Sequence, residues 1–281
     1  METGFYTQAQ VNSQSYDFYP ATSPAAPLLI YIHGGAWRFG DKSVVSFSDT
    51  GTHHLREAFA AAGLAVASIN YRLSHEALFP AQINDVKAAI RYFRAGADRF
   101  GINPARIVVA GSSAGGHLAM LAAATSGLNQ PYLEGAENKA VSSEVAAAVS
   151  IYGVSDLRTI FEDRPLCGQP LAHKDDDGAE WRLLGSTYPA PAGSVAEVNW
   201  AHAHPIDYYR TGTDAAPTYL VHGTADGCVP YIQSQRVFDT LTDRGVDSRL
   251  VLAEGADHAD PLCYRDEVLA PMVDWALSRI G

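Results

Sequence analysis

Residues 106–125 read RIVVAGSSAGGHLAMLAAAT. After Arg106 come Ile107, Val108, Val109 and Ala110, an apolar run without alternation that reads as a strand covered on both faces. From Ala114 to Thr125 the composition turns to Ala, Leu and Met, which are strong helix formers. Between the two lies Gly111-Ser112-Ser113-Ala114-Gly115, a G-x-S-x-G sequence whose small residues let the backbone turn sharply. A serine hydroxyl is a poor nucleophile until it is exposed on such a turn and given a base. Ser113 holds the central position and Ser112 does not. The plainer alternative is a glycine-rich turn that serves only the fold.

Outward from this unit the chain repeats the same rhythm. Residues 27–33 (PLLIYIH), 64–70, 145–152, 217–222 and 248–253 read as further buried strands. Helical patterns fall between them, at residues 53–62, 80–100, 231–244 and 264–280. In the second of these, Ile83, Val86, Ile90 and Phe93 recur at helical spacing, with Pro80 suited to the first turn. Such alternation predicts an α/β fold with a mostly parallel central sheet and helices on both faces. Residues near 15–19 suit an antiparallel edge. No linker or repeat divides the chain, so residues 1–281 read as one domain. One segment breaks the rhythm: residues 156–213 offer no strand and are expected to form a small, partly helical, cap-like insertion over a site.

The remaining chemistry should follow Ser113 in the order acid, then base. Asp226, in His222-Gly223-Thr224-Ala225-Asp226, stands just past one predicted strand. His258, in Glu254-Gly255-Ala256-Asp257-His258, stands just past the next. Both are loop positions at the carboxyl edge of the sheet, where ligands bind in open α/β folds. The aspartate would orient the imidazole, and the imidazole would take the serine proton. Asp257 and Asp260 flank the histidine but are too close in sequence to reach back and orient its ring. His222 lies within a strand. After the strand at 27–33 come His33-Gly34-Gly35-Ala36-Trp37. Their glycines expose backbone N–H groups, and Gly34 and Gly35, joined by Ala114, are candidate oxyanion donors. His33 and His117 read as structural residues. The other histidines form no metal spacing, and Asp175-Asp176-Asp177 reads as a solvated loop. No metal or other cofactor is expected.

Composition narrows the classes further. The 281 residues hold 31 acids and 20 bases, a net charge of −11. That balance argues against nucleic acid or an anionic membrane as partner. No apolar run is long enough to span a bilayer, and residues 1–7 lack the marks of a signal peptide, so a cytoplasmic location is expected, with a secreted protein read from its mature end as the alternative. Oligomeric state is not legible. Three cysteines, Cys167, Cys228 and Cys263, are too few for a disulfide framework. Cys228 and Cys263 closely follow Asp226 and His258, however, so a disulfide joining those loops is an alternative to three free thiols.

Taken together, HGGAW, NYRLSHEALFPAQINDVKAAIRYFR, GSSAGGHLA, HGTADGCVPY and EGADH resemble the α/β-hydrolases. The resemblance is to the bacterial acetyl-esterase and feruloyl-esterase-like carboxylesterase branch, related to the hormone-sensitive-lipase group. It implies the same triad and oxyanion loop, and that Tyr71, Arg72 and Asp85 brace the loops beneath the site. Ala36 departs from the hormone-sensitive-lipase pattern, which has a third glycine there. The function expected is hydrolysis of a small-molecule ester with a short acyl or aryl group, acetyl or feruloyl esters of carbohydrate among them. Trp37, Trp181, Trp200 and Tyr188 are the candidate substrate contacts, since aromatic faces stack on sugars and phenolic rings. Arylformamide hydrolysis is the alternative, because formamidases share the HGG and SAGG elements. A ligand receptor on a degenerate hydrolase is the remote one.

Overall fold

The computed structural model describes residues 1–48, 50–128 and 130–281. Its strands are β1 (Glu2–Phe5), β2 (Ser15–Tyr19), β3 (Ala26–Ile32), β4 (Ala65–Ile69), β5 (Ile102–Ser112), β6 (Ala147–Ile151), β7 (Thr218–Gly223) and β8 (Ser248–Ala253). Its helices are α1 (Gly51–Ala61), α2 (Ala81–Ala95), α3 (Ala97–Phe100), α4 (Ala114–Ala124), α5 (Pro131–Glu134), α6 (Ile160–Leu166), α7 (Ala179–Leu184), α8 (Val195–His202), α9 (Pro205–Thr211), α10 (Ile232–Asp243) and α11 (Asp266–Ile280). The strands form one sheet in the order β1-β2-β4-β3-β5-β6-β7-β8. Among the described residues, only the β1–β2 and β2–β4 pairings are antiparallel.

The continuous apolar runs work because both faces of the sheet are covered. Along β3, Leu28, Ile30 and Ile32 enter one core while Leu29 and Tyr31 enter the other. On β5, Ile107 and Val109 join the first core, and Val108 and Ala110 the second. This is the period of two that a strand imposes. Helices α2 and α4 supply the first core, through residues such as Ile83, Ile90, Leu118 and Leu121. Helices α1 and α11 supply the second, through Leu55, Phe59, Met272 and Ala276. Every residue of α4 is buried, so it is a central helix and not an amphipathic surface one.

Three differences from the sequence-based expectation have local causes. The helix expected over 80–100 is two helices, because Gly96 caps α2 by donating its N–H to the Tyr92 carbonyl at 3.0 Å. Strand β5 begins before its apolar run: Ile102 pairs with Ala26, and an irregularity precedes the regular register at Leu28. The edge strand β1 is mostly exposed and has no apolar periodicity to announce it.

Between β6 and β7 the described chain forms α6, α7, α8 and α9 and no strand. Part of this segment belongs to the body of the molecule, since α9 packs against both α4 and α10. Among the described residues no helix is long and apolar enough to cross a membrane.

Candidate active site

Ser113 sits between β5 and α4 with φ +53° and ψ −119°, outside the comfortable regions for a side-chain-bearing residue. Its N–H donates to the Ile151 carbonyl at 2.9 Å, and its own carbonyl accepts from His117 N–H at 2.9 Å. Close approach on the helix side is possible because residue 115 is glycine. A Cβ there would fall onto the Ile32 carbonyl oxygen, a backbone atom that cannot move aside. Gly115→Ala is therefore expected to cost on the order of 1–3 kcal/mol. It should also displace Ser113, so thermal melting and turnover measured on one sample should both fall.

His258 follows β8 and Asp226 follows β7. The His258 Nδ1–H donates to Asp226 Oδ2 at 2.8 Å, which leaves Nε2 to accept from the Ser113 hydroxyl at 3.0 Å. The other aspartate oxygen, Oδ1, accepts the backbone N–H groups of Cys228 and Val229, at 3.0 and 2.8 Å. Buried His222 donates from Nε2 to the Val229 carbonyl at 2.8 Å, with that nitrogen 3.4 Å from Asp226 Oδ2. Burial by itself would raise the Asp226 carboxyl; the hydrogen bonds from His222 and His258 reverse that and hold it well below the usual carboxylate range. The flanking acids have other tasks. Asp257 Oδ1 accepts from His258 N–H and Gly227 N–H, tethering the two loops, and Asp260 caps the turn at Leu262.

The Ser113 side chain opens into a cavity of about 400 Å³. Gly34, Gly35, Ala36 and Ala114 line it near the serine; Trp37, Val154, Ile160, Ala179 and Val229 form an apolar wall. Gly35 has φ +108°, and a Cβ there would strike the Phe39 backbone. Ala114 opens α4, so the partial positive charge of the helix N-terminus faces the serine. His33 and Tyr71 stack at 4.5 Å behind the glycine loop, and the Tyr71 hydroxyl donates to the His33 carbonyl at 3.1 Å. Asp85 accepts from Arg72 through Nε and Nη2, at 2.8 and 2.7 Å. Backbone strain concentrates here: Ala36, Trp37, Ser113, Tyr152 and Ala259 have positive φ and all line the cavity.

Several expected contacts fall elsewhere. Trp37 lines the cavity, but its buried indole N–H is spent on His117 Nδ1 at 3.2 Å. His117 in turn donates from Nε2 to the Ala203 carbonyl, and burial pulls its pKa down to about 4, so it is a neutral structural residue. Trp200, Tyr188 and Trp181 do not line the cavity. Trp200 is buried and donates to the Ser186 carbonyl at 3.0 Å, because an indole N–H inside the protein needs an acceptor, and its ring meets Tyr188 at a tilt of 50°. Trp181 faces a neighbouring cavity beside Phe39. The acidic run is an exposed loop, as expected, but two of its carboxylates are paired. Asp177 pairs with Arg38 at 2.5 Å and Asp176 with Arg164 at 2.7 Å, and all three aspartates line the Ser113 cavity with Glu180. Burial pushes the Glu180 carboxyl up.

The disulfide between Cys228 and Cys263 is absent, and all three thiols are free. Cys228 packs against the core on one face of the sheet and Cys263 lies in the core on the other. Burial pushes both thiols up to about 12, which keeps them protonated.

The BD-FAE family model matches residues 17–241. Esterase LipC of Mycobacterium tuberculosis is 33% identical over 220 residues, covering 78% of this chain and 49% of that protein. An AB hydrolase superfamily protein of Schizosaccharomyces pombe is 28% identical over 94% of this chain and 72% of its own length. Among solved structures, a truncated form of a carbohydrate esterase from gut microbiota superposes with a TM-score of 0.82 and 29% identity, covering 99% of this chain and 95% of that one. The chain spans about half the length of several curated relatives it matches.

Proposed function

The chain belongs to the BD-FAE family and has the α/β-hydrolase fold, and from that premise we propose that it is a serine carboxylesterase acting on short-acyl or aryl esters through an acyl-enzyme. One observation carries the reading. A single hydrogen-bonded chain runs from the Ser113 hydroxyl through His258 to Asp226, at the floor of a cavity with an apolar wall.

In this reading Ser113 Oγ attacks the ester carbonyl while His258 Nε2 takes its proton, and Asp226 steadies the imidazolium that results. Backbone N–H groups of Gly34, Gly35 and Ala114 receive the negative charge that develops on the carbonyl oxygen. His258 then returns the proton to the departing alcohol, which leaves an acyl group on Ser113. Water, deprotonated by the same imidazole, releases the acid and restores the hydroxyl. Residues 156–213 act as a cap through Ile160, Arg164, Ala179, Glu180 and the aspartates at 175–177, which line the cavity. A cavity of about 400 Å³ suits a short acyl chain or a single ring. Carbohydrate acetates and feruloyl esters are the proposed natural class, a choice supported by the family and by the carbohydrate-esterase neighbour.

A fluorophosphonate probe is expected to label Ser113, and p-nitrophenyl esters from acetate to laurate should be turned over fastest at the short end. N-formylkynurenine assayed in parallel should be the poorer substrate. Faster turnover of the formamide would replace the ester reading with the amidase one, and an unlabelled chain would return it to a receptor.

A further inference from the structure

Five adjacent parallel strands, β3, β5, β6, β7 and β8, each send a residue from their carboxyl ends to the site. Four of them send the glycine loop, Ser113, Asp226 and His258. From β6 comes Tyr152, to which the reaction above gives no task. Its N–H donates to the Val221 carbonyl at 2.7 Å, next to the Ile151 carbonyl that holds Ser113. It adopts φ +41°, a conformation unfavourable for an L side chain, so the ring is held where it is by its surroundings.

That ring lies against the His258 imidazole, with centroids 4.9 Å apart and planes at 62°. Its hydroxyl bonds to the Tyr264 hydroxyl, on the same loop as His258. Close by, the Tyr31 hydroxyl and Ser112 Oγ are 2.8 Å apart, in the same buried region. The two hydrogen bonds of the imidazole hold its two nitrogens but leave the ring free to rock about the line joining them. A rigid aromatic plane against it removes that freedom. We propose that Tyr152 is a positioning residue that sets the tilt of the His258 ring, acting through His258 and touching no reacting atom. The proposal rests on the esterase reading.

Tyr152→Leu removes the plane, and Tyr152→Phe keeps it while losing the hydroxyl. In the full chain, kcat/KM for p-nitrophenyl acetate is expected to fall about tenfold in Tyr152→Leu, through kcat with KM nearly unchanged. The fall should be larger for ethyl acetate, whose alkoxide cannot leave without the His258 proton, whereas p-nitrophenolate can. Tyr152→Phe should stay close to wild type on both esters. Tyr152→Met, which fills the volume without a rigid plane, repeats the test if the leucine variant does not fold. Equal losses on the two esters, no loss at all, or a Tyr152→Phe as impaired as Tyr152→Leu would overturn the proposal. A wild-type chain that hydrolyses neither ester would remove the esterase reading and this inference with it, an outcome distinct from an active wild type and an unaffected variant.

Discussion

Ser113→Ala is expected to lower kcat for p-nitrophenyl acetate by on the order of 10⁵–10⁶, leaving a chain that still folds. No neighbouring hydroxyl can take over. Ser112 Oγ is bonded to the buried Tyr31 hydroxyl at 2.8 Å, whereas His258 Nε2 is bonded to Ser113 Oγ. The fold should tolerate the change because what holds the turn is main chain: the bonds from Ser113 N–H to Ile151 and from His117 N–H to Ser113 survive. Alanine also occupies the same positive φ elsewhere in the cavity, at Ala36 and Ala259. Only the hydrogen bond to His258 Nε2 is lost. Burst and steady-state kinetics beside a thermal melt check this, and a folded Ser113→Ala with wild-type turnover would refute the nucleophile assignment.

Asp226→Asn should be nearly as damaging, with kcat down about 10⁴. The direction follows from which atoms the carboxylate faces. Oδ1 accepts two backbone N–H groups, so the asparagine oxygen must take that side. Its NH₂ is then turned toward His258 Nδ1. Facing a donor, Nδ1 gives up its proton, the proton moves to Nε2, and Nε2 can no longer accept from Ser113. Fold stability should fall too, because the NH₂ also meets the buried Nε2–H of His222, already committed to Val229. A buried donor without an acceptor costs about 1–3 kcal/mol. Turnover and the melting temperature are the two measurements. A variant that kept both would mean that another group orients His258.

Much of the scaffold was legible because its signals are local. An apolar run, a turn of small residues and a helix-forming segment follow one another within twenty residues around Ser113, and the backbone there needs no distant partner to declare itself. The same holds for Asp226 and His258, each just beyond a strand, and the structure brings the three within hydrogen-bond distance. Tyr152 was equally available, being the first residue past β6, yet nothing in its neighbourhood marks it as different from a core tyrosine. Its meaning comes from the His258 ring against it, which is 106 positions away in the chain.

What the sequence by itself determined was the alternation of strands and helices, the parallel sheet, and the loop positions at which chemistry could stand. Which side chains face the cavity was decided only by tertiary packing. Trp200 and Tyr188 turn to each other, Trp181 turns to a neighbouring cavity, and Asp177 and Asp176 of the exposed acidic run pair with Arg38 and Arg164. The same packing sets Cys228 and Cys263 on opposite faces of the sheet. The physical reason is one of range. Strand and helix periods are written in neighbouring residues, whereas the orientation of a short helix depends on the distant surfaces that can satisfy its indole N–H groups, charges and apolar area together.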